Sequence, residues 1–282
     1  MYGVVAPCRM LRHHTRNVGE QLKKPLMKES KETKKKNWKS TDNRFVGFLD
    51  ILGFKDLVMR KTHDEIYDIL YKISKTKKQL EELAGNEKIV EKFGDAEVKI
   101  VNFSDSIVIF SKNDDIGNFR HFCIGMRWLF AKCIKDGIPL KGGFAHGQVS
   151  INQKEQIYFG QPLIDAYLIE EDVNYFGIVA HNSIDNYIKL NEDLLGFYFL
   201  NFTLFDCKTC LKSGVTVHKN VNWFRKLFLD NKSLSEKECK ENIIKVVEGF
   251  RISISGSPRR YIDNTLSMLN NVKIETLRNE PN

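Results

Sequence analysis

Apolar runs and amphipathic stretches alternate along most of this chain. "RFVGFLDI", residues 44–51, consists of strand formers until it meets Asp50. Between residues 55 and 83, Leu57, Ile66, Ile69, Leu70, Ile73, Leu80 and Leu83 recur near helical spacing and predict one helix closing at Gly85. "AEVKIVNFSDSIVIFSK" predicts two strands with a tight turn near Ser104–Asp105. "DIGNFRHFCIGMRWLFAKCIKDG" predicts a second amphipathic helix, stopped by Gly137 and Pro139. "IPLKGGFAHGQVSI" predicts a fourth strand weakened by Gly142, Gly143 and Gly147. "QPLIDAYLIEED" opens a helix with Pro162 in its first turn, "FGIVAH" is a buried-type strand, and "NSIDNYIKL" is a helix capped by Asn182 or Ser183. Beyond residue 190 the pattern gives a strand, a loop and terminal helices.

The order β-α-β-β-α-β through residue 150 predicts an α+β fold with a ferredoxin-like, palm-like core. A right-handed crossover makes strands 1 and 2 parallel and returns strand 3 between them. The end of strand 1 and the start of strand 3 then share one sheet edge. Asp50 and Asp105 are thereby expected to be neighbours. Two carboxylates ~4 Å apart repel by roughly 4 kcal/mol at an effective dielectric of 20. The alternatives are a shared proton or a bound cation, and all-oxygen ligation suits Mg²⁺ or Mn²⁺ alongside substrate phosphates. The Ile51 carbonyl is a further candidate ligand. Gly53 and Phe54 lead into a helix whose free N–H groups suit a polyphosphate. A helix cap for Asp50 and a turn aspartate for Asp105 are the plain structural alternatives.

Composition changes this picture in two places. The net charge of +8 lies in residues 1–40, which hold 11 Lys/Arg against 3 Asp/Glu, and the remainder is balanced. That leader reads as a solvated, disordered tail, and the neutral body argues against a duplex-binding channel. There is no apolar stretch of transmembrane length and no secretory signal pattern, so the chain reads as cytoplasmic, with no membrane partner and reduced thiols among its six cysteines. "CKTC", Cys207–Cys210, has half the spacing of a zinc site, with only His218 and Cys239 as further candidates; Cys123 and Cys133 read as core.

The motifs "FLDILGF", "FSDSIVIF", "PLKGGFAHGQV" and "YFGQPLIDAYLIEE", in this order over about residues 44–190, resemble the metal motifs, glycine-rich strand and following helix of class III nucleotidyl cyclases. Within that class they are most similar to the pyrimidine cyclases of bacterial anti-phage (Pycsar) defence. The resemblance implies a cyclase domain over residues 41–190, with 191–282 as an extension packed on it. It implies a homodimer with composite sites that cyclises UTP, or CTP, to cyclic UMP or cyclic CMP plus pyrophosphate, as a messenger for a separate effector. Asp50, Ile51 and Asp105 would hold two Mn²⁺ or Mg²⁺ ions.

Departures from the purine cyclases are informative. Their base-reading Lys aligns with Val101, and their second base-reading residue falls near Ile157. Phe48, Phe103 and Tyr158 are candidates to shape or stack against a smaller base. The transition-state Asn and Arg fall at Ile164 and Leu168, which cannot donate hydrogen bonds. Lys141, Arg259 and Arg260 are the candidate substitutes, Lys141 foremost. The glycines of "KGGFAHG" suggest close approach of a partner subunit or nucleotide, and His146 reads as a satisfied core histidine. A palm-type nucleic-acid polymerase domain and an inactive nucleotide-sensing module are the rival readings.

Overall fold

The computed structural model describes residues 37–83, 86–230, 234–252, 254 and 256–271. The basic leader therefore lies outside the described residues, apart from its last few positions. In chain order the elements are β1 (Thr41–Ile51), α1 (Phe54–Arg60), α2 (His63–Glu82), α3 (Glu87–Phe93), β2 (Val98–Phe103), β3 (Ser106–Ser111), α4 (Ile116–Lys135), β4 (Leu140–Asn152) and β5 (Ile157–Phe159). They continue as α5 (Gln161–Asp172), β6 (Ile178–Ala180), α6 (Asn182–Leu190), α7 (Glu192–Leu195), α8 (Phe197–Thr203), β7 (Leu204–Leu211), β8 (Gly214–Val221), α9 (Trp223–Asp230), α10 (Glu236–Gly249) and α11 (Arg259–Asn271).

One sheet runs β2-β3-β1-β4-β6-β8-β7, with β5 paired to β4. β1 is antiparallel to both β3 and β4, β2 is antiparallel to β3, and β6 is parallel to β4. The first four strands are thus the ferredoxin-like βαββαβ unit that the sequence predicts. The segment after residue 190 does more than pack against this unit. Its β7–β8 hairpin continues the same sheet through the pairing Val179↔Asn220.

Side-chain alternation divides the sheet into two unlike faces. On the back, Phe45, Leu49, Ile100, Ile107, Ile109 and Phe144 are sealed beneath α2, α4 and α6. α4 buries thirteen of its twenty residues there. On the front, α5 covers β1 and β4, laying Pro162, Ala166 and Glu170 against them at helical spacing, and Met268 of α11 packs with Val179 of β6.

The glycines of β4 serve this packing. A Cβ on Gly143 would sit 2.4 Å from the Ala166 carbonyl oxygen, and one on Gly142 would sit 2.3 Å from Leu49 Cδ2. The chain's own α5 and β1 make the close approach expected of a partner or nucleotide. β4 is accordingly thirteen residues long and not weakened.

Three local expectations are corrected. The single helix expected over 55–83 breaks into α1 and α2, because Thr62 and Glu65 form a reciprocal capping box at the start of α2. α3 was not foreseen. α6 is capped by the His181 side chain accepting from the Ser183 N–H, not by Asn182 or Ser183. Among the described residues, no helix is long and apolar enough to cross a membrane.

Candidate active site

Asp50 is the penultimate residue of β1, and its Cα partners are Ser106 on β3 and Lys141 on β4. Asp105 sits in the two-residue turn joining β2 to β3, where Phe103 pairs with Ser106. The Ile51 N–H donates to the Asp105 carbonyl at 3.1 Å, so the end of β1 is stitched to this turn. Ser104, the first residue of the turn, has φ 54°, a conformation in which Gly is the unstrained occupant. The Asp50↔Ser106 pairing and the Ile51–Asp105 hydrogen bond therefore bring Asp50 and Asp105, 55 positions apart in sequence, to one sheet edge.

Strand register places the other candidates relative to this point. Phe103, Ser106, Asp50 and Lys141 form one row across the front face; Val101, Val108, Phe48 and Gly143 form the next. The two rows are separated by two strand residues, roughly 7 Å. α5 closes the Gly143 end of the second row and leaves its Val101 end open. The result is an apolar groove of about 340 Å³ in which Phe48, Val101 and Tyr158 meet Val108, Phe110 and Tyr167. Ile164 also lines it. Phe103 stands apart from it, 83% exposed at the tip of β2. Gly53 is left-handed at φ 73° where β1 passes into α1, and Phe54 turns onto the back-face core. With seven residues, α1 is only about two turns long, not the extended helix that the sequence suggested.

The charges around Asp50 do not cancel. Lys141 and Glu170 are both buried, with Nζ 2.7 Å from Oε1 and a hydrogen bond from Nζ to the Glu170 carbonyl at 2.8 Å. Lys141 is thus committed to α5 and does not project freely toward a ligand. Burial, followed by the neighbouring carboxylates of Glu170, Asp105 and Glu171, pushes the Asp50 carboxyl up to about 7, with Lys141 opposing. Burial also raises Glu170, against the pull of Lys141. A carboxyl raised first by burial and then by surrounding acids is what a divalent cation would relieve.

Among the described residues, no group of three or more His, Cys, Asp and Glu is placed to hold a metal. Two carboxylates with adjacent carbonyls nevertheless fit Mg²⁺ or Mn²⁺, which complete their shells with water and substrate phosphate. The same finding removes the half-zinc reading of Cys207 and Cys210. These two cysteines lie on β7, and burial pushes the Cys207 thiol up to about 11. Cys123 and Cys133 are core, as expected. His146 is satisfied, with Nε2 3.0 Å from Asp114 Oδ2 and its ring stacked on Phe45. Arg259 is spent on the carbonyls of Ile254 and Arg251.

The sequence reading overlooked Glu170. Glu170 sits one turn beyond Ala166 on the sheet-facing side of α5, a spacing that could have exposed it as a buried acid.

No family model matches the sequence, and no curated protein matches it. Several solved structures are similar in fold. One is the catalytic core of a rhodopsin-guanylyl cyclase with converted specificity, in complex with ATPαS: 16% identity, 65% of this chain and 97% of that chain covered, TM-score 0.45. Another is a bacterial light-regulated adenylyl cyclase, at 11% identity, 66% and 92% coverage and TM-score 0.43. A third is an adenylate/guanylate cyclase/hydrolase from Silicibacter pomeroyi, at 13% identity, 65% and 98% coverage and TM-score 0.40.

Proposed function

We propose that this protein is a metal-dependent nucleotidyl cyclase that acts on a pyrimidine nucleoside triphosphate, UTP before CTP. The observation that carries the reading is the meeting of Asp50 and Asp105 at the end of β1, with the Asp50 carboxyl pushed up to about 7 among other acids. Such crowding is costly for the folded state on its own and is relieved by a bound cation.

In the reaction, the 3′-OH of the bound nucleotide gives up its proton to water and attacks its own α-phosphate. A 3′–phosphorus bond forms, the bond to the β-phosphate oxygen breaks, and pyrophosphate leaves with its electron pair. Asp50, Asp105 and the Ile51 carbonyl would hold two Mn²⁺ or Mg²⁺ ions, which when bound lower the pKa of the attacking hydroxyl and neutralise the triphosphate. Buried Lys141 offsets part of the local negative charge without touching substrate. Phe48, Val101 and Tyr158 take the base in a groove that begins about two strand residues from Asp50. Its lining carries no charged group. Its side-chain hydrogen-bonding groups are the hydroxyls of Tyr158 and Tyr167, with no Lys or Asp of the kind that would select a purine edge. Gly53 allows the chain to turn sharply beside the phosphates.

Exposed Ile164, Tyr167 and Leu168 on α5 and Phe159 on β5 present an apolar front beside the groove. A second copy of the chain covering this front would form a homodimer with composite sites. The cyclic product would act on a separate effector in antiviral defence, a role that rests on motif resemblance alone. The purified protein is to be incubated with each of the four ribonucleoside triphosphates and Mn²⁺, and the products separated. Cyclic UMP or cyclic CMP is expected; cyclic purine nucleotides alone would overturn the base assignment. Tight triphosphate binding without turnover would instead support a sensing module, for which hydrogen-bond-inert Ile164 and Leu168 are the specific indication.

A further inference from the structure

A cavity of about 400 Å³ lies beside the turn that follows β1 and takes no part in the proposed reaction. It is bounded by α1, the start of α2, the loop 137–139 before β4, and Ile252 and Ile254. β1 lies between β3 and β4, and its end is tied on both flanks. On one flank the Ile51 N–H donates to the Asp105 carbonyl; on the other the Leu52 N–H donates to the Pro139 carbonyl at 2.9 Å. The candidate metal site occupies the first flank and the cavity the second.

The lining is of two kinds. Leu52, Leu57, Ile69, Ile138 and Ile254 give it an apolar wall. Ile252 also lines it and is 94% exposed, an isoleucine left almost wholly in water at the rim. Four charged residues complete the lining. Lys61 and Glu65 pair at 3.0 Å, and Glu65 also accepts from the Thr62 N–H, so both are committed. Arg60 has no hydrogen-bond or ion-pair partner among the described residues. Asp56 stands one turn before it, in the first turn of α1, where the helix N-terminus favours a carboxylate. A concave, largely apolar site with a few polar groups is the usual form of a small-molecule site. One open guanidinium with a carboxylate nearby suits a single negative charge and disfavours a triphosphate.

We infer that this cavity is a regulatory binding site for a small amphipathic monoanion, coupled to the Asp50–Asp105 site through the shared turn 51–53. The apolar body of the ligand fills the space against Leu52, Leu57 and Ile138 and covers Ile252, while its anionic group meets Arg60. None of the seven residues of α1 is buried, so a ligand can shift this helix with little loss of packing. Gly53, at φ 73°, is the joint on which it would turn. The binding stands without the cyclase reading; the coupling rests on it.

The test titrates the full-length protein with anilinonaphthalene sulfonate, an apolar ring system bearing one sulfonate, by fluorescence and calorimetry. Phenylnaphthylamine, its neutral counterpart, is the comparison. Arg60→Gln and Ile252→Asp alter exposed side chains, so their melting temperatures are expected to match wild type. Each should weaken sulfonate binding about tenfold, whereas Phe48→Ala in the front groove should leave it unchanged. Wild-type affinity in both cavity variants, loss in Phe48→Ala alone, or equal affinity for the neutral compound would overturn the site. Coupling is read as Mn²⁺ affinity with and without saturating sulfonate, expected to differ about fivefold or more. Equal Mn²⁺ affinity in the two conditions would overturn the coupling. A chain that binds the sulfonate as expected but takes up no Mn²⁺ would uphold the cavity site and overturn the metal reading.

Discussion

The two faces of the sheet obey different rules. Behind it, Phe45, Leu49, Ile109 and Phe144 are sealed under α2, α4 and α6 in one apolar cluster. In front, α5 covers part of the sheet, and the covered part contains a buried Lys–Glu pair beside a carboxyl raised to about 7. The back face stabilises the fold by removing apolar area from water. The front face spends part of that stability holding like charges together. Stability and chemistry are therefore separable by substitution, and the largest separation is expected at Asp50. Asp50→Asn should lower cyclisation by about a thousandfold or more, roughly 4 kcal/mol in the barrier, with the folded structure retained by circular dichroism.

Next in size are the buried groups on either face. Phe144→Ala on the back should cost about 3–5 kcal/mol in denaturant unfolding. Glu170→Ala should cost a similar ~3–5 kcal/mol, because it strands the Lys141 ammonium in a dry site. The two differ in how they are repaired. Replacing both partners, Lys141→Met with Glu170→Leu, should recover most of the second loss, whereas a polar companion would not repair the first. If the double variant unfolds as easily as the single one, the pair is not a self-contained charge unit.

Phe48→Ala sharpens the contrast at smaller scale. Phe48 stands on the same strand as Leu49 but faces the open groove, so its loss should cost only about 1 kcal/mol of stability. It should raise KM for the triphosphate, measured by steady-state kinetics, more than it lowers kcat.

The smallest effect is a pH dependence. A carboxyl raised from 3.8 to about 7 keeps its proton longer in the folded than in the unfolded chain. Folded stability then falls as pH rises through that window. In metal-free buffer, Asp50→Asn should melt higher than wild type at pH 8 by a few degrees and show little difference near pH 4. Equal melting at both values would mean that Asp50 carries no ionisation penalty.

Strand order was legible in the sequence because apolar runs and turn residues are local signals, and one crossover rule converts them into neighbours. The meeting of Asp50 and Asp105 followed from that order alone. The split between α1 and α2 was written in Thr62 and Glu65, but the apolar spacing on either side masks a break. The glycines of β4 looked like weakness because their neighbours on α5 and β1 lie far away in sequence. Glu170 was partly legible. A buried acid leaves a trace in helical spacing, whereas the β7–β8 hairpin joins the sheet through the long-range pairing Val179↔Asn220, which no short pattern encodes.

The central claim is that Asp50 and Asp105 together hold divalent cations around a triphosphate. It is tested most directly by titrating Mn²⁺ into the protein with 3′-deoxy-UTP, which lacks the attacking hydroxyl, and following free Mn²⁺ by paramagnetic resonance. Wild type should take up two Mn²⁺ per chain, and Asp50→Asn and Asp105→Asn should each lose that uptake. Unchanged uptake in either variant would contradict the account.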